Sequence, residues 1–364
     1  MAYQATLASL LSESKAFQFV MDNAVAQFEA PIWSKYLTER FSLSLDWRGI
    51  MAVMENSPAA SVIDFSSAKP IATRPTVSKI SGELASLGNK YQMSKRQVRE
   101  LLELQDNVGK MGINVASIID FLIPDVKRAT VGPHKAIDRL LLEGMSTGVM
   151  SLTAANNPKG VVWNTALDWG IEQTFVAVAP WSVTNKATMQ PMADIAKKMA
   201  DGIAKGRKYS TMSMSSATFA LVKQSEDFKS SFKSQVGNFT LVSNALLGVD
   251  TVNGLFSGVG FPKIELIDYP VPVEKADGTY TTVLPFANDR VSFRVDDNVG
   301  ELLYTYANEQ RRPVAGKSYA TAMNVLVSKY SDNDGNEFTE GEFNAFPVIN
   351  AASTMSIMKT DSLS

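Results

Sequence analysis

The sequence predicts an α+β fold in which short strands are distributed between isolated helices. Apolar residues recur at helical spacing in a few separate segments, and the polar–apolar alternation typical of strands fills the stretches between them. Of the 364 residues, 45% are hydrophobic, which is enough for a sizeable buried core. No internal repeat or heptad run stands out. We therefore expect two or three compact subdomains.

The N-terminal part of the chain predicts an arm followed by an excursion. Up to about Asp46, helical periodicity gives way to an aromatic cluster that contains Trp33, and we expect this arm to dock on its own core or on a neighbouring subunit, favouring its own core. From Ser57 to about Gln92, strand-like alternation punctuated by proline and glycine predicts a hairpin-like excursion. A two-stranded excursion is marginally stable alone, so it should lean on another element or another subunit.

Helical spacing dominates the next segment. The spacing predicts a helix from Met93 to Gln105 with Ser94 as its cap, then a helical pattern that Pro124 interrupts. A stronger helix is predicted to have Pro133 in its first turn and to stop at Gly148. His134, the one histidine, would then lie at a helix start as a partly exposed surface residue.

The remaining segments alternate between predicted helices, strands and turns. They are a helix at 188–205, a strand at 209–214, a helix at 215–222, a loose glycine-bounded loop at 248–260, a strand at 263–267, a turn at Asp277–Gly278, strands at 291–293 and 325–327, a turn at 332–335 and an apolar end around 355–358.

Composition narrows the possible functions. The absence of cysteine excludes disulfides, thiolate zinc sites and cysteine nucleophiles, and it favours a reducing cytoplasm. The net charge of −2, from 35 basic and 37 acidic residues, predicts weak or repulsive contact with DNA. We expect no secretion signal and no membrane span, because no stretch approaches the roughly 20 apolar residues that a span requires.

Two motif fragments fail when the spacing is counted. Gly316-Lys317-Ser318 resembles the end of a phosphate loop, but Arg311 stands where the first glycine is needed. The turn at Asp332 resembles a calcium loop, but Gly341 stands where the bidentate glutamate should fall. We therefore predict no catalytic residue, no cofactor site and no metal site.

The charge distribution suggests an assembly contact instead. Seven basic residues and two acidic ones lie between Ser57 and Arg99, whereas 332–342 holds five acidic residues and no basic one. One hypothesis is that the basic excursion of one subunit lies over the acidic turn of the next, guiding encounter and register; the alternative is that both segments are merely solvated. The candidate residues are Arg74, Lys79, Lys90, Asp332, Asp334, Glu337 and Glu340.

The order of these segments resembles the Hong Kong 97-type capsid fold of tailed phages. The likeness is greatest to lambda-type major capsid proteins. It is carried by Ile264–Tyr269, by Leu284–Phe293 after the hairpin, and by the ending Glu342–Pro347 and Met355–Met358. The corresponding domains are an N-terminal arm at 1–46, an extended β loop at 47–92, a spine helix with the first part of the peripheral domain at 93–187, an axial domain at 188–312 and a return to the peripheral domain at 313–364.

The resemblance implies a structural virion protein rather than an enzyme. Such a protein forms homo-hexamers and homo-pentamers of an icosahedral head, assembles in the host bacterial cytoplasm with scaffolding and portal proteins, with or without a decoration protein, and encloses double-stranded DNA through weak non-specific contacts. Alternatives are an encapsulin-like compartment shell, a phage tail component, and a carboxylate-based, metal-independent hydrolase.

Overall fold

The computed structural model describes residues 17–18, 21–22, 25, 28–52, 77–106, 115–236 and 247–363. The chain forms two compact units. Unit 1 comprises Met1–Trp47, Ser81–Asp138 and Glu301–Val348, and unit 2 comprises Arg48–Ile80, Arg139–Gly300 and Ile349–Ser364. Helices and short strands alternate along the chain, which confirms the α+β class.

The helices and strands are numbered in chain order. The helices are α1 (Lys95–Asp106), α2 (Val115–Thr147), α3 (Pro191–Ala204), α4 (Ser216–Gln224), α5 (Glu226–Val236), α6 (Val249–Val259) and α7 (Asn308–Arg311). The strands are β1 (Leu37–Phe41), β2 (Asp46–Ala52), β3 (Val77–Glu83), β4 (Ala85–Met93), β5 (Val149–Met150), β6 (Leu167–Asp168), β7 (Glu172–Val176), β8 (Thr211–Met214), β9 (Lys263–Leu266), β10 (Val271–Glu274), β11 (Tyr280–Val283), β12 (Arg290–Arg294), β13 (Gly300–Thr305), β14 (Ser318–Ala322), β15 (Val325–Ser331), β16 (Glu337–Ile349) and β17 (Met355–Leu363). Short 3-10 turns lie at Ile32–Lys35 and Ala351–Ser353.

Unit 1 is built on a sheet with the order β1-β13-β16-β15-β14, and β4 also pairs with β16. The long strand β16 alternates buried and part-exposed residues in its first half and is buried throughout its second half. The first half therefore has one face towards solvent, whereas the second half is covered on both faces. The strands β2 and β3 form a separate two-stranded sheet.

The helix α2 is continuous, which corrects the predicted interruption at Pro124 and the predicted helix start at Pro133. Both prolines lie inside the helix. Pro133 has no N–H to donate to the carbonyl of Ala129, a loss that costs about 3 kcal/mol in a helix interior without compensation. Tertiary packing therefore decides the helix boundary here. The end at Thr147 is as predicted, because Gly148 follows with φ of +78°.

The freed carbonyl of Ala129 faces the sheet at a glycine. A Cβ atom placed on Gly341 in β16 would overlap the Ala129 carbonyl oxygen, and a Cβ on Gly88 in β4 would overlap the carbonyl oxygen of Gly341. In the β4–β16 ladder Gly88 lies opposite Glu342, the residue that follows Gly341. Helix, strand and neighbouring strand thus approach through backbone atoms, which only glycine permits.

Unit 2 has a sheet with the order β7-β17-β12-β8-β9. The pairs in the centre are antiparallel, and the pairs at both edges are parallel. Its core gathers Ile195 of α3, Phe219 of α4 and Phe256 of α6 around Met212 and Phe293 of the central strands. The strand β8 is buried at every position, as expected of a strand that is covered on both faces.

Several local predictions are confirmed in unit 2, and one is wrong. Ser215 caps α4 by accepting a bond from the Thr218 N–H at 3.2 Å, and Gly278 makes the predicted hairpin turn with φ of +83°. The segment at 248–260 is not a loop. It is the helix α6, with Gly248 before it and Gly260 closing it in the left-handed conformation.

Candidate assembly surface

The acidic segment forms the turn between β15 and β16. The carboxylate of Asp332 accepts bonds from the N–H groups of Asp334 at 2.9 Å and Asn336 at 2.8 Å, and from the Asn336 side chain at 2.8 Å. The bond from the Asn336 side chain is the main cause that lowers the pKa of Asp332. Asp332 therefore organises the turn, and Asp334 is exposed at its tip.

Lys90 and Glu340 are direct cross-strand partners within one chain. The Lys90 ammonium also lies 4.3 Å from the ring centroid of Phe338 and 5.1 Å from that of Tyr330, and these two rings stack on each other. Cation–π contacts of this kind contribute about 0.5–1 kcal/mol each at exposed sites. Lys90 is thus held on its own sheet.

The two glutamates of the candidate set also have basic neighbours in their own chain. Glu337 pairs with Lys329 at 2.9 Å, and Glu340 lies 3.7 Å from Lys317. The hydroxyl of Tyr330 donates a long bond of 3.4 Å to Glu340. Both carboxylates are therefore partly neutralised before any second subunit is present.

The two remaining basic candidates are described less fully. Arg74 lies outside the described residues, and for Lys79 only its place in β3 is described. The structure thus brings Lys90 and Glu340 together within one chain and leaves Asp334 exposed. A contact between subunits remains a prediction.

Lys317, which belongs to the phosphate-loop fragment, forms an ion pair with Glu309. Its ammonium lies 2.7 and 3.0 Å from the two carboxylate oxygens of Glu309 and 4.6 Å from the ring centroid of Tyr330. Burial alone would lower the pKa of Lys317, but the bond and the charge of Glu309 outweigh it and raise that pKa. Gly316 makes a left-handed turn here.

His134 is buried, which corrects the predicted surface position. Only 2% of the residue is exposed, and its ring stacks on Trp33. Trp33 is anchored twice to α2: its backbone N–H donates to Asp138 at 2.7 Å and its indole N–H donates to His134 at 3.2 Å. Burial lowers the pKa of His134 to about 4. Phe17 and Met21 are also buried within the single chain, as predicted for an arm that docks on its own core.

A charged cluster in unit 2 was not predicted. Glu172 on β7 accepts bonds from Lys198 at 3.2 Å, Lys205 at 2.7 Å and Arg207 at 2.6 Å. Burial would raise the pKa of Glu172, but the bond from Lys205 and the charge of Lys198 outweigh it and lower that pKa to about 2. No sequence motif marks this cluster, because its members lie up to 35 residues apart on different elements.

A cavity lies beside this cluster, and the carboxylate of Asp194 in its wall is engaged in hydrogen bonds within the fold. It measures about 230 Å³ and is lined by Thr174, Asp194 and Lys197 among others. Asp194 accepts bonds from the indole of Trp181 at 2.9 Å and from the N–H of Ala177 at 3.0 Å. Within the described ranges, no three His, Asp or Glu side chains converge closely enough to hold a metal ion.

Unit 2 carries well-exposed aliphatic and aromatic side chains. Tyr280 is exposed on the β10–β11 hairpin, and Val161 and Val162 are exposed on the loop that Lys159 ties to this hairpin through a 2.8 Å ion pair with Glu274. Apolar side chains grouped on a surface often mark protein contacts. None of the described helices combines the length and the hydropathy that crossing a bilayer requires.

The fold matches that of a phage capsid protein over nearly the whole chain. The putative capsid protein of a prophage of E. coli CFT073 is similar with a TM-score of 0.55, covering 95% of this chain and 98% of that chain at 12% identity. Two further structures are similar at lower TM-scores. One is a phage-related protein from Bordetella bronchiseptica RB50, with a TM-score of 0.47 and 10% identity over 95% of this chain and 97% of that chain. The other is the capsid of a native GTA particle, with a TM-score of 0.43 and 12% identity over 90% of this chain and 89% of that chain.

No family model and no curated protein sequence matches the chain. At 12% identity the likeness is one of fold. The chain has the Hong Kong 97-type capsid fold, and the predicted resemblance to phage major capsid proteins is confirmed at that level. The narrower likeness to the lambda-type group stays a prediction.

Proposed function

We propose that the chain is the major capsid protein of a tailed phage and self-assembles into hexamers and pentamers of an icosahedral head that encloses double-stranded DNA. The observation that carries this proposal is the end-to-end correspondence with the prophage capsid protein, which covers 95% of this chain and 98% of the other. Little of the chain is left over for a second activity. Its role is accordingly structural rather than enzymatic.

The described surface supports an assembling protein. The strands β2 and β3 form a two-stranded sheet by themselves, and such sheets need further packing for stability. The near-neutral net charge of −2 suits an inner wall that holds DNA without gripping its phosphates. Scaffolding and portal proteins, assembly in the host cytoplasm and a place in the virion follow from the same proposal.

We further propose that charge guides the register between subunits. Lys90 and Glu340 already face each other within one chain, so the proposed contact between subunits rests on the other candidates: Arg74 and Lys79 of the basic segment and the exposed Asp334 of the turn. Asp332, Glu337 and Glu340 add to the negative potential of the turn without being its main attachment points. Exposed pairs of this kind steer encounter more than they add affinity.

Expression of the chain alone, and together with its neighbouring genes, tests the function. Size-exclusion chromatography followed by negative-stain electron microscopy should show capsomers or closed shells, and nuclease treatment should leave protected double-stranded DNA in complete particles. Shells that contain an enzyme and no DNA would instead support an encapsulin-like compartment. Tubes or open rings would indicate a tail component, and a stable monomer with hydrolase activity would overturn the proposal.

A further inference from the structure

The side chain of Gln18 is hydrogen-bonded to the backbone of β14, which is an edge strand of the unit 1 sheet among the described residues. Its Oε1 accepts from the N–H of Thr321 at 2.7 Å, and its Nε2 donates to the carbonyl of Thr321 at 2.8 Å. Thr321 lies on β14, the last strand of this sheet in the part of the chain that the structure describes. One acceptor and one donor on a single residue are what a neighbouring antiparallel strand offers at a hydrogen-bonded pair. The carboxamide thus occupies the place of a strand residue.

The carboxamide is held in this orientation from two sides. Its second N–H donates to Asp22 at 2.8 Å, one helical turn further on. Phe17 and Met21, which flank Gln18 on the same helical segment, are fully buried. The amide oxygen and both N–H groups are therefore each engaged in a hydrogen bond, and the side chain is preorganised for the strand edge.

The sequence of β14 lacks the features that commonly protect the hydrogen-bonding edge of a strand from pairing with another chain. Natural edge strands are commonly protected by lysine, by proline or by a bulge. The five residues Ser318–Ala322 contain no charge and no proline, and their pairing with β15 runs without a break in register. An uncharged, regular strand of this kind can pair with an identical strand about a two-fold axis.

We propose that Gln18 guards the edge of β14 against pairing with β14 of a second copy. The partner excluded is another subunit of the same chain in its unassembled state. This inference does not depend on shell formation, because the contact lies within unit 1 of a single chain. It assigns the arm a role before assembly, apart from any role in the finished particle.

The test replaces Gln18 by leucine, which keeps a side chain of comparable bulk and removes both bonds to Thr321. Sedimentation velocity of the purified, unassembled chain should show self-association about tenfold stronger than for the wild type, the factor that corresponds to roughly one net hydrogen bond. Hydrogen–deuterium exchange at the amide of Thr321 should accelerate by a similar factor. Asp22→Ala is the matched control: it removes only the bond that orients the amide and keeps both bonds to Thr321, so both measurements should change much less than in Gln18→Leu.

Two further variants separate edge pairing from misfolding. Gln18→Glu keeps an acceptor for the Thr321 N–H but turns a second oxygen towards the Thr321 carbonyl, so self-association should rise without any added apolar surface. Thr321→Pro in the Gln18→Leu background removes the outward N–H and should abolish the self-association. Unchanged sedimentation of Gln18→Leu, or association that persists with Thr321→Pro, would overturn the proposal.

Discussion

The indole N–H of Trp33 donates to Nδ1 of His134 across 3.2 Å, joining segments 101 residues apart in the chain. Because Nδ1 accepts this bond, the ring is neutral and its proton resides on Nε2. Protonation of the ring would remove the acceptor and place a charge among buried groups. The anchor of the N-terminal segment therefore requires a neutral histidine.

The stability of the fold should depend on pH through His134 between pH 4 and 6.5. Burial lowers the pKa of His134 from 6.5 to about 4, so between these values the unfolded chain binds a proton that the folded chain does not. The contribution is complete above pH 6.5, declines as the pH falls and is lost by about pH 4, amounting to about 3 kcal/mol in total. Urea unfolding from pH 4 to 7 measures this slope. His134→Gln should flatten it, and an equal slope in the variant would contradict the assignment.

Gly341 should not tolerate a side chain. A Cβ atom would overlap the carbonyl oxygen of Ala129, and neither backbone can yield without distorting α2 or β16. We expect Gly341→Ala to lower the free energy of unfolding by about 3 kcal/mol, the upper end for overpacking. Gly254→Ala is the control, since this glycine lies inside α6 with open space around it and alanine there should stabilise by about 0.5–1 kcal/mol. Thermal melts of both variants should therefore shift in opposite directions.

Glu172 should hold its three cations in place. Lys198 is 3% exposed, so Glu172→Gln would leave a buried ammonium without its counter-charge. Because Glu172 itself is partly open to solvent, we expect a loss of about 1–3 kcal/mol rather than the full value of a buried pair. Lys205→Ala, at a side chain that is half exposed, should cost much less. The wild-type contribution should be present above pH 4.5 and decline as the pH falls towards 2.

Reversal of charge on the excursion should impair assembly without unfolding the subunit. We expect Arg74→Glu with Lys79→Glu to yield soluble chain that melts like the wild type but forms shells more slowly and with stronger dependence on salt. Adding Asp334→Lys should restore assembly. Lys90→Glu should behave differently, because it places a carboxylate opposite Glu340 and destabilises unit 1 itself. Normal shells from the double variant would refute a charge-guided register.

Local features of the fold were predictable, because their causes lie within a few residues. Gly148 follows the end of α2, Ser94 directly precedes α1 with its N–H bonded to Gln97 at 2.9 Å, and Gly278 turns the hairpin. The prediction at 248–260 failed because its glycines suggested flexibility. Gly248 and Gly260 instead lie at the two ends of a helix whose Val252 and Phe256 are buried in the core.

Features that depend on tertiary contacts could not be predicted in this way. The position of Pro133 inside α2 follows from packing on the sheet, and the burial of His134 follows from Trp33 far away in the chain. Lys90 and Glu340 are cross-strand partners although they lie 250 residues apart in the sequence, and only the strand register brings them together. The charge pattern therefore indicated both residues but not that they pair within one chain. The fold could still be predicted, because the order of helices and strands along the chain can be read from the sequence even where individual contacts cannot.

The meeting of Ala129 and Gly341 has a mechanical consequence. Side chains that separate a helix from a sheet can change rotamer and so absorb small displacements, but this junction consists of main-chain atoms alone. A displacement of α2 at Ala129 is therefore transmitted directly to β16 at Gly341. At this level of unit 1 the helix and the sheet move as one piece, and deformation must be taken up by softer parts of the chain.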